Sequence, residues 1–254
     1  MILNDLKNFY ETKYEEEVNL NFLEIIPLQK FPTNRFEACI KYFSEKFKGG
    51  KILELASGNG QMANTLLKNN KNITHFLATD LSDHRLQAIK NNISDPRLEV
   101  KNMNVEEFNA EEIEKFDAII MVALIEHLID PLNTMKKILT LLKPGGMIYI
   151  DTPNIADYGC RFKLLKGKFP STASKNEGLI TYDNKKVSLF DEGHLHYFTY
   201  NSLATMLTQH CGFSKTEKYY YPVGKLYFGK AFHYKLAKWK PELFSPLALV
   251  AYKN

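Results

Sequence analysis

Between residues 51 and 151 the hydrophobic pattern switches back and forth between two periods. Short apolar runs, KILEL (51–55), ITHFLAT (73–79), LEVKNM (98–103), DAIIMV (117–122) and GMIYID (146–151), have the length and content of strands. The stretches at 60–70, 83–92 and 131–142 between them carry apolar residues at helical spacing. Strands alternating with helices predict an α/β fold: a parallel sheet whose crossover helices cover both faces.

The flanking segments extend this unit. Residues 4–18 read as a charged amphipathic helix, and residues 34–47 as a second helix with Phe36, Ile40, Phe43 and Phe47 on one face, stopped by Gly49 and Gly50. After Pro153 the alternation ends. Residues 153–192 are rich in Lys, Gly, Ser, Tyr and Asn and show no period, which reads as an inserted lid or substrate loop with some local structure of its own. A helix at 201–210, a strand at 215–222, a basic aromatic helix at 225–240 and a last strand at 247–254 complete the chain. We divide a single domain, 1–254, into an N-terminal helical cap (1–48), a core (49–152), the insert (153–192) and a C-terminal part of the core (193–254).

The 254 residues suit one such domain. The net charge of +4 is spread along the chain, with no basic run of the density that nucleic acid requires. An anionic small substrate suits this balance, and we expect neither a nucleic-acid nor a membrane partner; oligomeric state is left open. Cys39, Cys160 and Cys211 are far apart and odd in number, which argues for free thiols rather than a disulfide framework. No basic stretch followed by an apolar one opens the sequence and no apolar run reaches membrane-spanning length, so a cytoplasmic location is expected.

The segment KILELASGNGQMA constrains chemistry most. A strand ends at Glu54, a glycine-containing turn follows, and a helix begins near Gly60. Glycine lets a backbone adopt positive φ and approach a ligand closely, and doubly wound sheets bind ligands at this edge. Alone, the turn is equally a tight strand-to-helix connection. Asp80, ending the second strand, adds an acid where two ribose hydroxyls can be accepted, and the two features in order point to a nucleoside cofactor.

LELASGNG resembles the motif of class I methyltransferases that bind S-adenosylmethionine. The likeness continues through TDLS (79–82), NVEEF (104–108), FDAIIMVALIEHLIDP (116–131), LLKPGGMIYIDTPN (141–154) and HLHYFTYNSLATMLTQHCGF (194–213). Their order and spacing resemble the ubiquinone-type and polysaccharide-associated small-molecule methyltransferases. The resemblance implies a Rossmann-like seven-stranded, mostly parallel sheet with an antiparallel last strand. It also implies S-adenosylmethionine as cofactor. Glu54 would then face the methionine ammonium, Ala56, Gly58 and Gly60 would form the turn, and Asp80 would hold the ribose. Asn104 and Val105 would border the adenine, with Leu81 packed on the ring or simply buried, and Val122 would complete the set. Ala56 stands where the first glycine of the motif is expected, and Ala123 where a polar residue is common.

The acceptor side follows from the same resemblance and from residue chemistry. His127, after the fourth strand, is the first candidate base; Glu126 and His127 could instead cap and pack the next helix. His194 and His196, two apart, would face one way on an extended segment. Asp191 and Glu192 nearby make a metal conceivable, but no third ligand is fixed by spacing, so none is expected. One ring is expected at the pocket and the other packed under the loop; the position of His194 favours the pocket and makes it the second catalytic candidate, with His196 a substrate-side residue. Tyr10 and Tyr14 could close over the cofactor, and Arg35 could hold an anionic group or lie solvated on its helix. The expected reaction is transfer of a methyl group to an oxygen of a small polar metabolite: a sugar, a nucleotide-sugar or a phosphorylated precursor of cell-surface glycans. A catalytically silent partner subunit and an N-methyltransferase are the alternatives.

Overall fold

The computed structural model describes residues 24–172, 181–182, 185–186, 190–221 and 229–254. The helix expected at 4–18, with Tyr10 and Tyr14, lies outside them. Helix α1 (Arg35–Lys46) leads into the core. There β1 (Gly50–Leu55), α2 (Gln61–Asn69), β2 (Ile73–Asp80), α3 (Asp83–Asn92), β3 (Leu98–Asn102) and β4 (Phe116–Val122) follow one another. Then come α4 (Pro131–Leu141), β5 (Leu142–Thr152) and α5 (Tyr158–Leu165), and a short pairing of β6 (Thr181–Tyr182) with β7 (Lys185–Lys186). Helix α6 (Tyr200–Thr205) runs on as a π turn over Met206–His210, and β8 (Lys215–Tyr219), α7 (Lys230–Trp239) and β9 (Leu247–Tyr252) close the chain.

The main sheet has seven strands in the order β3-β2-β1-β4-β5-β9-β8. Strands β1 to β5 pair in parallel, and β9 runs antiparallel to both β5 and β8. The parallel strands are those the alternating pattern predicts, and the antiparallel last strand is the one the resemblance implies. The strand order reverses between β1 and β4, whose strands are parallel, and this is the place where open α/β sheets leave a crevice at their carboxyl edge.

Side-chain alternation sorts the strand residues into two cores. Ile52, Phe76, Ile120, Tyr149 and Val250 face α1, α2 and α3, whose Phe43, Leu66 and Ile89 are fully or almost fully buried. Leu53, Leu55, Ile119, Ile148 and Leu249 face α4 and α6, with Ile138 and Leu207 at the contact. Because both faces are covered, the strands read in sequence as nearly continuous apolar runs rather than as alternating ones.

Helix ends carry the expected signals. Asn34 caps α1 by accepting from the Glu37 N–H, and Asp130 caps α4 by accepting from the Asn133 N–H, with Pro131 in the first turn. The cap of α4 is therefore Asp130, not Glu126 or His127, which fold into a separate 3₁₀ turn (Ile125–His127). The first part of the insert forms α5, so the stretch without period does hold local structure. The three cysteines are buried and free. No helix among the described residues is long and apolar enough to cross a membrane.

Candidate active site

A cavity of about 580 Å³ opens at the carboxyl edge of β1, β2 and β4. Strand order sets its layout. Across neighbouring strands the edge presents Asp80 on β2, Glu54 on β1, Val122 on β4 and Asp151 on β5.

The turn after β1 is stitched to the end of β2. The Ser57 N–H donates to the Thr79 carbonyl at 2.7 Å, and the Thr79 hydroxyl donates to the Glu54 carbonyl at 2.8 Å. The Gly58 N–H donates to Asp80 Oδ2 at 2.9 Å, and the Ser82 N–H to Asp80 Oδ1 at 3.0 Å. These fix the Asp80 carboxylate at the cavity wall and leave it lone pairs for further donors, since an ionised carboxylate has about four acceptor sites.

Four turn positions have left-handed backbone. Gly58 (φ 56°) lines the cavity. Gly60 (φ 77°) does not; a Cβ there would lie 2.8 Å from Ile89 Cγ1, so its lack of a side chain serves the packing of α2 on α3. Ala56 (φ 54°) and Ala123 (φ 52°), the two departures noted in sequence, carry the same conformation, which costs an L residue about 1–2 kcal/mol. Both line the cavity.

Glu54 is 2% exposed, and its Oε2 is buried with no hydrogen-bond partner. Burial pushes its carboxyl up to about 8, with Ser57 opposing and Asp80 adding to the rise. An orphaned acid at a cavity wall calls for a cationic partner, since an unpaired buried charge is costly. Asp80 is also raised by burial, against the pull of the Ser82 N–H and of Arg85. Leu81, Asn104 and Val105 line the cavity on the β2–β3 side, and Val122 on the β4 side.

Toward β5 the wall is made by Arg35, His127 and the turn between them. The Arg35 Nε lies 3.7 Å from Asp151 Oδ1. Burial disfavours the guanidinium charge, but Asp151 holds its pKa above the ordinary value. Asp151 is fully buried, receives the Tyr221 hydroxyl and is pushed up to about 6 by burial, against the pull of Arg35. Glu126 is 1% exposed and accepts from the Thr152 hydroxyl at 2.8 Å; burial pushes it up to about 7.

His127 lines the cavity and meets His194 edge to face, with ring centroids 4.8 Å apart. Neither His194 nor His196 lines the cavity itself: His194 reaches it only through its ring contact with His127, and the His196 Nε2 lies 3.3 Å from the Ile129 carbonyl. The two rings part, as expected of one nearer the pocket and one packed aside, and a 3₁₀ turn (Phe190–Gly193) precedes them; His196 does not take the substrate-side place expected of it. Sequence reasoning did not single out Met103, Arg85 or Ser57, which line the cavity, nor Asp151, whose position as the lone acid ending an apolar strand was the available signal.

Fold and cavity together define a class I methyltransferase. Residues 29–218 match the methyltransferase-domain family model, and the chain belongs to that family. Its cofactor is S-adenosylmethionine. Among curated proteins it is 27% identical over 118 residues to the ubiquinone biosynthesis O-methyltransferase of Coxiella burnetii, covering 45% of this chain and 49% of that protein. It is 28% identical over 111 residues to the enzyme of the same name from Acinetobacter baumannii, covering 42% and 45%. The match thus spans about half the length of these relatives. A SAM-dependent methyltransferase of Thermotoga maritima shares the fold with a TM-score of 0.57, 15% identity and coverage of 97% of this chain and 99% of that one. A chain from the complex of the Haloferax volcanii Trm112 methyltransferase activator with a methyltransferase aligns with a TM-score of 0.59 and 12% identity, covering 86% and 90%.

The cavity fits the cofactor. Its orphaned Glu54 oxygen suits an ammonium group and the tethered Asp80 suits a ribose. One consequence is measurable. Glu54 holds its proton up to about pH 8 in the free chain, and pairing with an ammonium favours the charged form. Binding then releases a proton at lower pH. Affinity for S-adenosylhomocysteine, which keeps the ammonium, is expected to be level from about pH 8 until the ligand's own ammonium loses its proton, and to fall by up to about tenfold per unit below pH 8. Isothermal titration in buffers of different ionisation enthalpy reads both the slope and the released proton; a Glu54→Gln variant loses both.

Proposed function

We propose that the protein transfers the methyl group of S-adenosylmethionine to a hydroxyl oxygen of a small polar acceptor, a sugar, nucleotide-sugar or phosphorylated sugar. The observation that carries this reading is the continuity of the cavity. Glu54 and Asp80, fitted to the cofactor, share one wall with Arg35 and His127.

When bound, the cofactor supplies an electrophilic methyl carbon whose bonding electron pair stays on sulfur. The chain has to align an acceptor beside it and handle a proton. Glu54 pairs with the ammonium and Asp80 accepts from the ribose hydroxyls, with Asn104, Val105 and Leu81 against the base. Arg35, held by Asp151, offers a guanidinium to a phosphate or other anionic group of the acceptor. His127 stands where an acceptor hydroxyl reaches the wall, and its imidazole takes the proton as the oxygen bonds to carbon. His194, in ring contact with His127, positions it. Alignment supplies the larger share of the acceleration, since the leaving group is already good.

An oxygen acceptor is supported by the names of the curated relatives and by a histidine placed to receive a proton. The polar insert, rich in Lys and Asn, favours a sugar-like acceptor over an apolar ring, and its helix α5 follows directly from the carboxyl edge of β5, as a cover for the acceptor would. The test is turnover with S-adenosylmethionine and a panel of sugars, sugar phosphates, nucleotide-sugars, phenols and amines, reading S-adenosylhomocysteine and the mass of the product. Methylated sugar hydroxyls are the expected result. Methylated amines alone, or no product although the cofactor binds, would overturn it in favour of N-methylation or a silent subunit.

A further inference from the structure

Spacing in the sequence fixes no third metal ligand near His194, yet the fold brings one. Glu126 and His127 come from the turn after β4, and His194 from the segment that follows the insert. A carboxylate oxygen of Glu126 and one nitrogen from each imidazole lie within 4.8 Å of one another. The two segments are joined through the backbone: the N–H groups of Leu195 and His196 donate to the Glu126 carbonyl at 2.8 and 3.1 Å. The cluster is therefore built into the docking of that segment on the turn.

Groups behind the cluster orient both rings. The His127 Nδ1 lies 3.2 Å from the Gly193 carbonyl. A carbonyl only accepts, so this nitrogen carries the proton, and in the neutral ring the lone pair sits on Nε2. The His194 Nδ1 lies 2.7 Å from the Thr172 hydroxyl. That hydroxyl donates to Asp191 Oδ2 at 3.2 Å, so it accepts from the His194 N–H, and the lone pair again falls on Nε2. Asp191 is fully buried, receives the Ser171 and Tyr197 hydroxyls, and stands 3.8 Å from the His194 Nδ1. Metal-ligating histidines characteristically donate their second ring N–H to a carbonyl, or to a carboxylate directly or through a relay, and here each ring has such a partner.

We propose that Glu126, His127 and His194 form a three-ligand site for a divalent transition cation beside the cavity, which His127 alone of the three lines, with Zn²⁺ the best chemical match. Two imidazoles and one carboxylate suit Zn²⁺ and not Mg²⁺ or Ca²⁺, which take oxygen ligands. Ligand atoms around tetrahedral zinc are roughly 3.3 Å apart, given metal–ligand bonds of about 2.0–2.1 Å. The spacing of up to 4.8 Å has to contract to that size when the ion binds. Three protein ligands leave the fourth position for a hydroxyl. A cation there lowers the hydroxyl pKa, so its proton passes to water rather than to His127, which then acts as a ligand. The role in catalysis rests on the reading that the acceptor oxygen comes to His127; the binding of the ion does not.

The experiment uses the full, untagged chain, stripped with a chelator and titrated with Zn²⁺ alone against a chromogenic competitor, with metal content measured after dialysis. We expect one tightly held Zn²⁺ per chain that millimolar Mg²⁺ does not displace. His127→Ala and His194→Ala should each weaken it by roughly a hundredfold or more. Zn²⁺ should raise the melting temperature of the wild type and of neither variant, so a variant that is merely less stable is recognised by its own melting curve. Glu126→Gln should weaken binding in the same direction. Absence of stoichiometric Zn²⁺, or unchanged affinity in both histidine variants, overturns the site. Calorimetry with S-adenosylhomocysteine on the same metal-free protein separates the two readings. Nucleoside binding without Zn²⁺ removes the cation site alone, and Zn²⁺ binding without the nucleoside removes the methyltransferase reading alone.

Discussion

Replacing His127 with alanine is expected to lower turnover by about a hundredfold or more while leaving the affinity for S-adenosylhomocysteine nearly unchanged. The separation follows from position. His127 lies in the turn after β4, whereas the two acids proposed to hold the cofactor, Glu54 and Asp80, are on β1 and β2. Losing it removes the group that receives the acceptor proton or, with a cation bound, a ligand of the ion that lowers the hydroxyl pKa so that water takes the proton, and touches neither Glu54 nor Asp80. A structural histidine would behave differently. Its loss would lower the melting temperature and disturb rate and cofactor affinity together. The contrast is readable because His127 lies in a 3₁₀ turn and not in either core. A His127→Ala protein with wild-type kcat would eliminate the catalytic assignment and leave alignment as the whole of catalysis.

Replacing Asp80 is expected to act in the opposite way. Asp80→Ala should weaken S-adenosylhomocysteine by about 1–3 kcal/mol, roughly five- to 150-fold, because it removes hydrogen bonds to a partly buried ribose. Part of the loss is indirect. Asp80 also receives the Gly58 and Ser82 N–H groups, and without it two donors near the cavity lose their partner. Asp80→Asn keeps one acceptor oxygen and should fall between the wild type and the alanine variant. Calorimetry on the three proteins gives the ordering. Equal affinity in all three would dissociate Asp80 from the cofactor.

The sheet could be read from the sequence because strand and helix periods alternate cleanly and the flanking glycines and prolines punctuate them. Glu54 and Asp80 could be read because each ends a strand at the sheet's carboxyl edge, where an acid has no packing purpose. The acceptor side was harder for a physical reason: its groups meet across long separations. Arg35 reaches Asp151 from α1 to the end of β5, and Glu126 reaches Thr152 across the edge of two strands. His127 meets His194 only because the segment that follows the insert docks on the carbonyl of Glu126. No local period records such contacts. His196, a substrate-side candidate, packs instead toward the Ile129 carbonyl, a contact that no spacing within its own segment records. Ala56 and Ala123 were visible as departures, but that both hold a left-handed backbone is a property of the fold.

The central claim is that the cavity at Glu54 and Asp80 binds the cofactor of a methyltransferase and not a dinucleotide. The most direct measurement is isothermal titration of the full chain with S-adenosylhomocysteine and, separately, with NAD⁺. Micromolar or tighter binding of S-adenosylhomocysteine at one site per chain, abolished or strongly weakened by Glu54→Gln combined with Asp80→Ala, with no heat from NAD⁺, is the predicted result. NAD⁺ binding at that affinity, or no nucleoside binding by a folded wild-type chain, would contradict it.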